Sequence, residues 1–182
     1  MNRANALQGP TLSVENCQKG EEIVEKLPQR WLSEEEQELW RSYLGAWFRL
    51  ARVLNDDLER NSGFDHLTYE IFVNLSESTT RSLRMTDLAK SVSVNKSRLT
   101  YRIGQLEVQG LVSRTECEED GRGHMCVLTD KGFAILEKAA PHHVQAVLTN
   151  FIDAIDPSEV AELISVLNKI APGVAPRGVC EQ

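Results

Sequence analysis

No part of this chain restricts its fold as tightly as Arg84 to Gly132, where helical and strand patterns follow one another without a break. Met85 to Ser91 reads as a short helix with Leu88 and Ala89 inward, and the Thr86 hydroxyl can cap its start. A tight Ser91-Val92-Ser93-Val94 turn follows. Asn95 then caps a second helix that runs to Val108 and stops at Gly110. Leu111 to Glu116 has the composition of a strand, Glu118 to Gly123 that of a turn, and His124 to Leu128 that of a return strand. Thr129-Asp130-Lys131-Gly132 opens the next helix. Two helices at a tight turn, followed by a hairpin with a basic tip, are the pattern of a winged helix-turn-helix.

The flanks are helical. Ser33-Glu34-Glu35-Glu36 is a capping box, and apolar residues recur at helical spacing from Leu39 through Trp40, Tyr43, Trp47 and Phe48 to Leu58. Asn61-Ser62-Gly63 ends that helix. Its apolar stripe is wide and aromatic, which fits a mixture of core and subunit interface. A second helix covers about His66 to Ser76, and Thr79 to Ser82 reads as a loop. The helix opened at Thr129 should reach about Asn150, with Pro141 expected to kink or break it. Asp156-Pro157-Ser158-Glu159 starts a last helix, which Pro172-Gly173 ends. The fold class expected is therefore mainly α with a small β-hairpin wing. Residues 1–30 read as a flexible arm, 31–62 and 133–172 as a helical dimerisation region, 63–132 as the winged helix-turn-helix and 173–182 as a frayed tail.

At 182 residues the chain has room for a real core. No positively charged segment followed by an apolar run opens it, and no apolar stretch approaches a bilayer's width. A cytoplasmic protein without a membrane partner is expected. Cys17, Cys117, Cys126 and Cys180 lack the spacing of a zinc site, so free thiols and no metal or cofactor are expected. The net charge of −7 opposes binding to nucleic acid, but its distribution does not. Between Arg81 and Arg102 six basic residues face Asp87 alone, a local excess of five positive charges.

The helix from Asn95 is one-sided. Leu99, Ile103 and Leu106 cluster on one face at 100° per residue, and the opposite face carries Ser97, Tyr101 and Gln105 between Arg98 and Arg102. Guanidinium, amide and hydroxyl groups are those that read base edges in a major groove. Asn95, Ser97, Arg98 and Tyr101 are expected at base edges, with Lys96, Thr100 and Arg102 on phosphate. Arg84, Thr86 and Gln105 complete the candidate DNA surface. At the hairpin tip Asp120 precedes Arg122 by two residues, and a carboxylate there can aim the guanidinium into a minor groove.

Leu88-Ala89, Val94 through Leu106-Glu107, Gly110-Leu111-Val112, Asp120-x-Arg122 and Leu128-Thr129-x-x-Gly132 closely resemble the MarR family of bacterial transcriptional regulators. The resemblance covers about Glu34 to Ala171. It implies a homodimer formed by the N-terminal and last two helices, a near-palindromic double-stranded operator, and repression relieved by a small aromatic ligand or by cysteine oxidation. It assigns DNA contact to Asn95 through Arg102 and to Arg122. Gly104 departs from the family, where a polar or charged residue is common, and so does the longer N-terminal arm.

An effector pocket is expected where the long helix meets the second helix, with Trp40, Tyr43, Trp47, His66 and Tyr69 as candidates. Cys117 and Cys126 flank the wing turn and are redox candidates, although Glu116, Glu118 and Glu119 disfavour a thiolate at Cys117. A winged-helix module that binds protein instead of DNA is the alternative reading, motivated by the acidic total. An enzyme is not expected: there is no phosphate loop, nucleophile motif or metal-spaced histidine set, and a helix sends the adjacent His142 and His143 in divergent directions.

Overall fold

The computed structural model describes residues 30–116 and 123–171. The chain divides into two compact units between Leu44 and Gly45. Helix α1 (Glu34–Ser62) crosses that boundary. In the first unit its start is held by the capping box: Glu36 N donates to Ser33 Oγ at 3.1 Å and Ser33 N donates to Glu36 Oε2 at 2.8 Å. The backbone donor from Ser33, helped by Arg30, holds the Glu36 carboxyl below the usual carboxylate range. In the second unit α1 buries Leu54 and Leu58 and ends at Gly63, whose φ of +76° needs a residue without a side chain.

The second unit continues as α2 (His66–Ser76), β1 (Ser82–Arg84), α3 (Met85–Ser91), α4 (Lys96–Val108), β2 (Val112–Glu116), β3 (His124–Leu128), α5 (Asp130–Asn150), a 3-10 turn (Ile152–Ala154) and α6 (Val160–Ile170). The three strands form an antiparallel sheet in the order β1-β3-β2, with Leu83 opposite Cys126 and Arg114 opposite Cys126 on the other side. The mainly helical winged-helix architecture expected from the sequence is the one found. β1 is the difference, because Ser82 was expected to lie in a loop. Three residues are too short to carry a readable alternation, and this strand exists through its pairing with β3.

Phe72, Ile71, Leu75, Leu88, Leu99, Ile103 and Val112 are the centre of the core, all at most 2% exposed. Both helix-turn-helix connections close in the same way. After α4, Leu111 N donates to Leu106 O and Gly110 N to Glu107 O, with Gly110 at φ +70°. After α3, Val94 N donates to Ala89 O and Ser93 N to Lys90 O, with Ser93 at φ +53°. Each is a Schellman closure, and the second puts a serine where glycine is usual. Thr129 ties sheet to helix: its hydroxyl donates to Gly110 O at 2.8 Å and accepts from Gly132 N at 3.1 Å. A Cβ on Gly132 would collide with Leu111 O and lie 2.7 Å from Leu128 Cδ1. Capping and close packing are thus what the Leu-Thr-x-x-Gly string encodes.

Pro141 does not break α5, which runs unbroken across it. Pro141 and Glu137, the residue whose carbonyl the missing N–H would have met, are both exposed, so water can satisfy that group. The expected last helix begins later than read. Asp156 holds a turn by accepting from Ser158 N at 2.8 Å, and α6 starts at Val160 with no residue buried. No helix among the described residues is long and apolar enough to cross a membrane.

Candidate nucleic-acid interface

The surface facing away from the core at α3 and α4 is the polar one. Leu99, Ile103 and Leu106 are buried as expected, so α4 is fixed by one stripe. Asn95 caps it, accepting from Arg98 N at 2.8 Å. That hydrogen bond takes the Asn95 side chain into the helix end. Lys96, Ser97, Arg98, Thr100 and Tyr101 are exposed, Tyr101 to 70%. Gln105 Nε2 donates to Tyr101 Oη at 3.1 Å, so these two present one joined polar edge. Thr86, Lys90, Ser93, Asn95 and Lys96 line an open groove between α3 and the start of α4. Free amides and the positive end of the α4 dipole favour anions there.

The charge census changes at three positions. Arg102, expected on phosphate, instead ion-pairs with Asp65, which also caps α2 by accepting from Thr68 N at 3.1 Å. Its side chain is 30% exposed, and it clamps α4 to α2. Arg81 pairs with Asp130 at 3.1 Å and lies over the Phe133 ring at 3.8 Å, joining the loop before β1 to α5. Lys90 has Asp87 at 3.4 Å, an exposed pair that water weakens. Lys96 and Arg98 have no ion pair among the described residues. Sequence reasoning missed the Arg102 clamp because Asp65 lies far away in the chain and no local pattern joins them.

Behind the groove, Arg114 at the base of the wing donates from N, Nε and Nη2 to the Glu107 carboxylate of α4. The Arg114 side chain holds the Glu107 carboxyl below the usual range. This fork links wing and helix. Asp120 and Arg122 at the expected tip, and Cys117, lie outside the described residues.

Cys126 corrects one expectation. It is fully buried in β3, and burial pushes its thiol up to about 12. A redox sensor needs an accessible thiolate, so Cys126 does not serve as one.

The effector candidates separate. Trp40 and Tyr43 stack at 5.9 Å in the first unit. Trp47 is exposed in the second unit. His66 and Tyr69 come together there around a residue the sequence reading set aside. His143 of α5 lies 4.2 Å from the Tyr69 ring and 5.6 Å from the His66 ring. It is 8% exposed, and burial together with the His66 imidazole holds it below the usual histidine range. His142 points outward, so the adjacent pair does diverge, with one member sent into the core.

The family model for the MarR family matches residues 69–124. The chain is 40% identical to Sco3205, a MarR family transcriptional regulator from Streptomyces coelicolor solved in complex with DNA. That match covers 83% of this chain and 94% of Sco3205 with a TM-score of 0.78. It is 43% identical to AbsC, a MarR family transcriptional regulator from the same organism, over 79% of this chain and 96% of AbsC, with a TM-score of 0.76. It is also 30% identical over 112 residues to the HTH-type transcriptional repressor YetL of Bacillus subtilis, covering 58% of this chain and 67% of YetL.

Proposed function

This chain belongs to the MarR family of transcriptional regulators, and we propose that it acts as a homodimeric, cytoplasmic repressor that binds a near-palindromic operator and releases it on binding a small ligand. The observation that carries the DNA half is the exposed Lys96-Ser97-Arg98 start of a helix whose opposite face is buried, with no ion pair to Lys96 or Arg98 among the described residues. N-terminal residues of such a helix enter the major groove first. We assign base-edge contact to Ser97, Arg98 and Tyr101, and phosphate contact to Lys96, Thr100 and the groove at Thr86. Arg84 and Gln105 flank that surface. Asn95 acts as the cap, and Arg102 as a clamp that sets the helix's rotation. Asp120 and Arg122 keep their expected role in the minor groove.

The dimer is supported by exposed apolar surface. Leu39, Trp40 and Tyr43 are exposed in the first unit, and Trp47, Phe48, Phe151, Ile152, Val160, Ile164 and Ile170 in the second. A free monomer rarely exposes so much apolar surface. Residues 31–62 and 133–172 therefore serve as the dimerisation region and 63–132 as the DNA-binding domain. Repression follows the naming of YetL as a repressor. Ligand release is assigned to the cluster at half-buried His66 and buried Tyr69, and thiol release has no support at Cys126.

The test is selection of genomic fragments by the purified full-length protein, with the mass of free and bound species measured in solution. The expected result is a dimer on a near-palindromic fragment, with affinity falling steeply as salt rises. A monomer that enriches no sequence at low salt, but retains a protein partner, would replace this reading with the protein-binding module.

A further inference from the structure

On the outer face of α4, Tyr101 and Gln105 lie four residues apart, within about 40° of each other around the helix. Both are exposed, and Gln105 Nε2 donates to Tyr101 Oη at 3.1 Å. A glutamine side chain free on a helix surface can turn over and put donor or acceptor in the same place. The bond to Tyr101 takes one amide hydrogen and removes that freedom. The other N–H and Oε1 are left on one planar group, with no partner among the described residues. Tyr101 accepts from the amide and keeps its own hydrogen to donate. Nothing lies within 4 Å of the Cβ position of Gly104, so the backbone beside this pair is open to close approach. Leu99, Ile103 and Leu106 bury the other side of the helix, which keeps the pair turned away from the core.

We propose that Gln105, held in orientation by Tyr101, reads an adenine in each half of the bound DNA. In the major groove adenine presents the N7 acceptor beside the N6 amino donor. Guanine presents two acceptors, cytosine an amino donor, and thymine an acceptor and a methyl group. An amide with one N–H and one carbonyl oxygen free is complementary to the adenine edge: Nε2–H donates to N7, and Oε1 accepts from N6–H. Guanine would set O6 against Oε1, acceptor against acceptor, so the held amide rejects as well as accepts. A freely turning amide loses that rejection. Tyr101 is therefore a positioning residue for this contact, and Gln105 moves from the flank of the surface to a base edge. This inference rests on reading α4 as the helix that enters the major groove.

The test selects bound duplexes from a random pool with the full-length protein and its variants, then measures affinity for one selected duplex by fluorescence anisotropy. The wild-type protein should require adenine at one position of each half-site, with other bases there binding about 5- to 150-fold more weakly. At that position purine, which lacks the N6 amino group, and 7-deazaadenine, which lacks N7, should each weaken wild-type binding. Gln105→Ala should be indifferent to both. Gln105→Glu, which can only accept, should move the preference to cytosine, whose N4 amino group donates. Tyr101→Phe should relax the adenine preference, and adding it to Gln105→Ala should relax that position no further, because the two act on one contact. Lys96→Ala should weaken all duplexes alike and leave the preference in place. Both residues of the pair are exposed, so their variants should melt with the wild type. An adenine preference that survives Gln105→Ala, or a guanine at the position that Gln105→Ala relaxes, overturns the proposal while α4 remains the helix in the groove. A preference unchanged in Tyr101→Phe overturns the positioning role. A wild-type protein that selects no sequence overturns the placement of α4 in the groove, and this inference with it.

Discussion

Arg98 and Arg102 lie one turn apart on the same helix, and the structure places their side chains differently. Arg98 is exposed and has no ion pair among the described residues. Arg98→Ala should leave stability within about 0.5 kcal/mol, as surface changes usually do. Under the function proposed above it removes one DNA contact, a loss of about 1–3 kcal/mol or roughly 5- to 150-fold in affinity. If that contact is to phosphate, the salt slope should fall by about one.

Arg102→Ala inverts this. Its partner Asp65 is 26% exposed and keeps the donors Thr68 N at 3.1 Å and Thr68 Oγ1 at 2.7 Å. Asp65 is therefore not left bare. With solvent screening allowed for, the loss is about 1–2 kcal/mol. For a domain of this size that lowers Tm by roughly 2–8 °C. Thermal melts and fluorescence anisotropy on one selected fragment, read well below either Tm, separate the two. A Tm drop in Arg98→Ala equal to that in Arg102→Ala would refute the assignment. So would Arg102→Ala binding DNA poorly at an unchanged Tm and salt slope.

Gly132→Ala should destabilise by several kcal/mol, about 3 or more, because the added methyl meets backbone at Leu111 O, and chemical denaturation reads this directly. Gly104→Ala should do the reverse and stabilise by up to about 1 kcal/mol, since nothing lies within 4 Å of its Cβ position; a lower denaturation midpoint would reject that. The native Cys126 thiol should resist alkylation at neutral pH and react only on unfolding, as mass spectrometry would register. The Glu107 carboxyl is depressed by Arg114, so its contribution is present above the ordinary carboxylate pKa and lost as pH falls through the lowered one. Glu107→Gln should flatten that acid limb of the stability profile, and an unchanged limb would remove the fork from the account.

Local signals were legible and distant ones were not. The capping box at Ser33, the Asn95 cap and the Gly110 stop are written within four residues of themselves, and each is formed. The buried stripe of α4 follows from helical spacing alone. Ser82–Arg84 became a strand only because β3 lies beside it. Arg102 looked like a phosphate ligand because its own turn is basic, while its carboxylate partner lies on another helix. His143 was set aside together with its neighbour His142 because a helix sends the two in divergent directions, and they do diverge, His143 being the buried member. Divergent side chains on a surface helix mean that one of them faces the core.

The proposed DNA-binding surface carries less free positive charge than the sequence suggests. Of the six basic residues between Arg81 and Arg102, Arg81 and Arg102 bind carboxylates of other elements, and Lys90 has Asp87 beside it. Among the described residues, Lys96 and Arg98 of α4 have no ion pair, and they stand beside a helix start that carries its own partial positive charge. With Lys96 and Arg98 the α4 cations without an ion pair among the described residues, the DNA contact proposed above does not rest on the charge of that helix alone. It depends on α4 being held at the right rotation, so that few contacts are all well placed. That rotation is set by Asp65 on one side and by the Arg114–Glu107 fork on the other. A fold arranged this way is sensitive to small displacements of the α2 start, where His66 sits. A regulator with a surplus of surface lysines would tolerate the same displacement with little loss of binding.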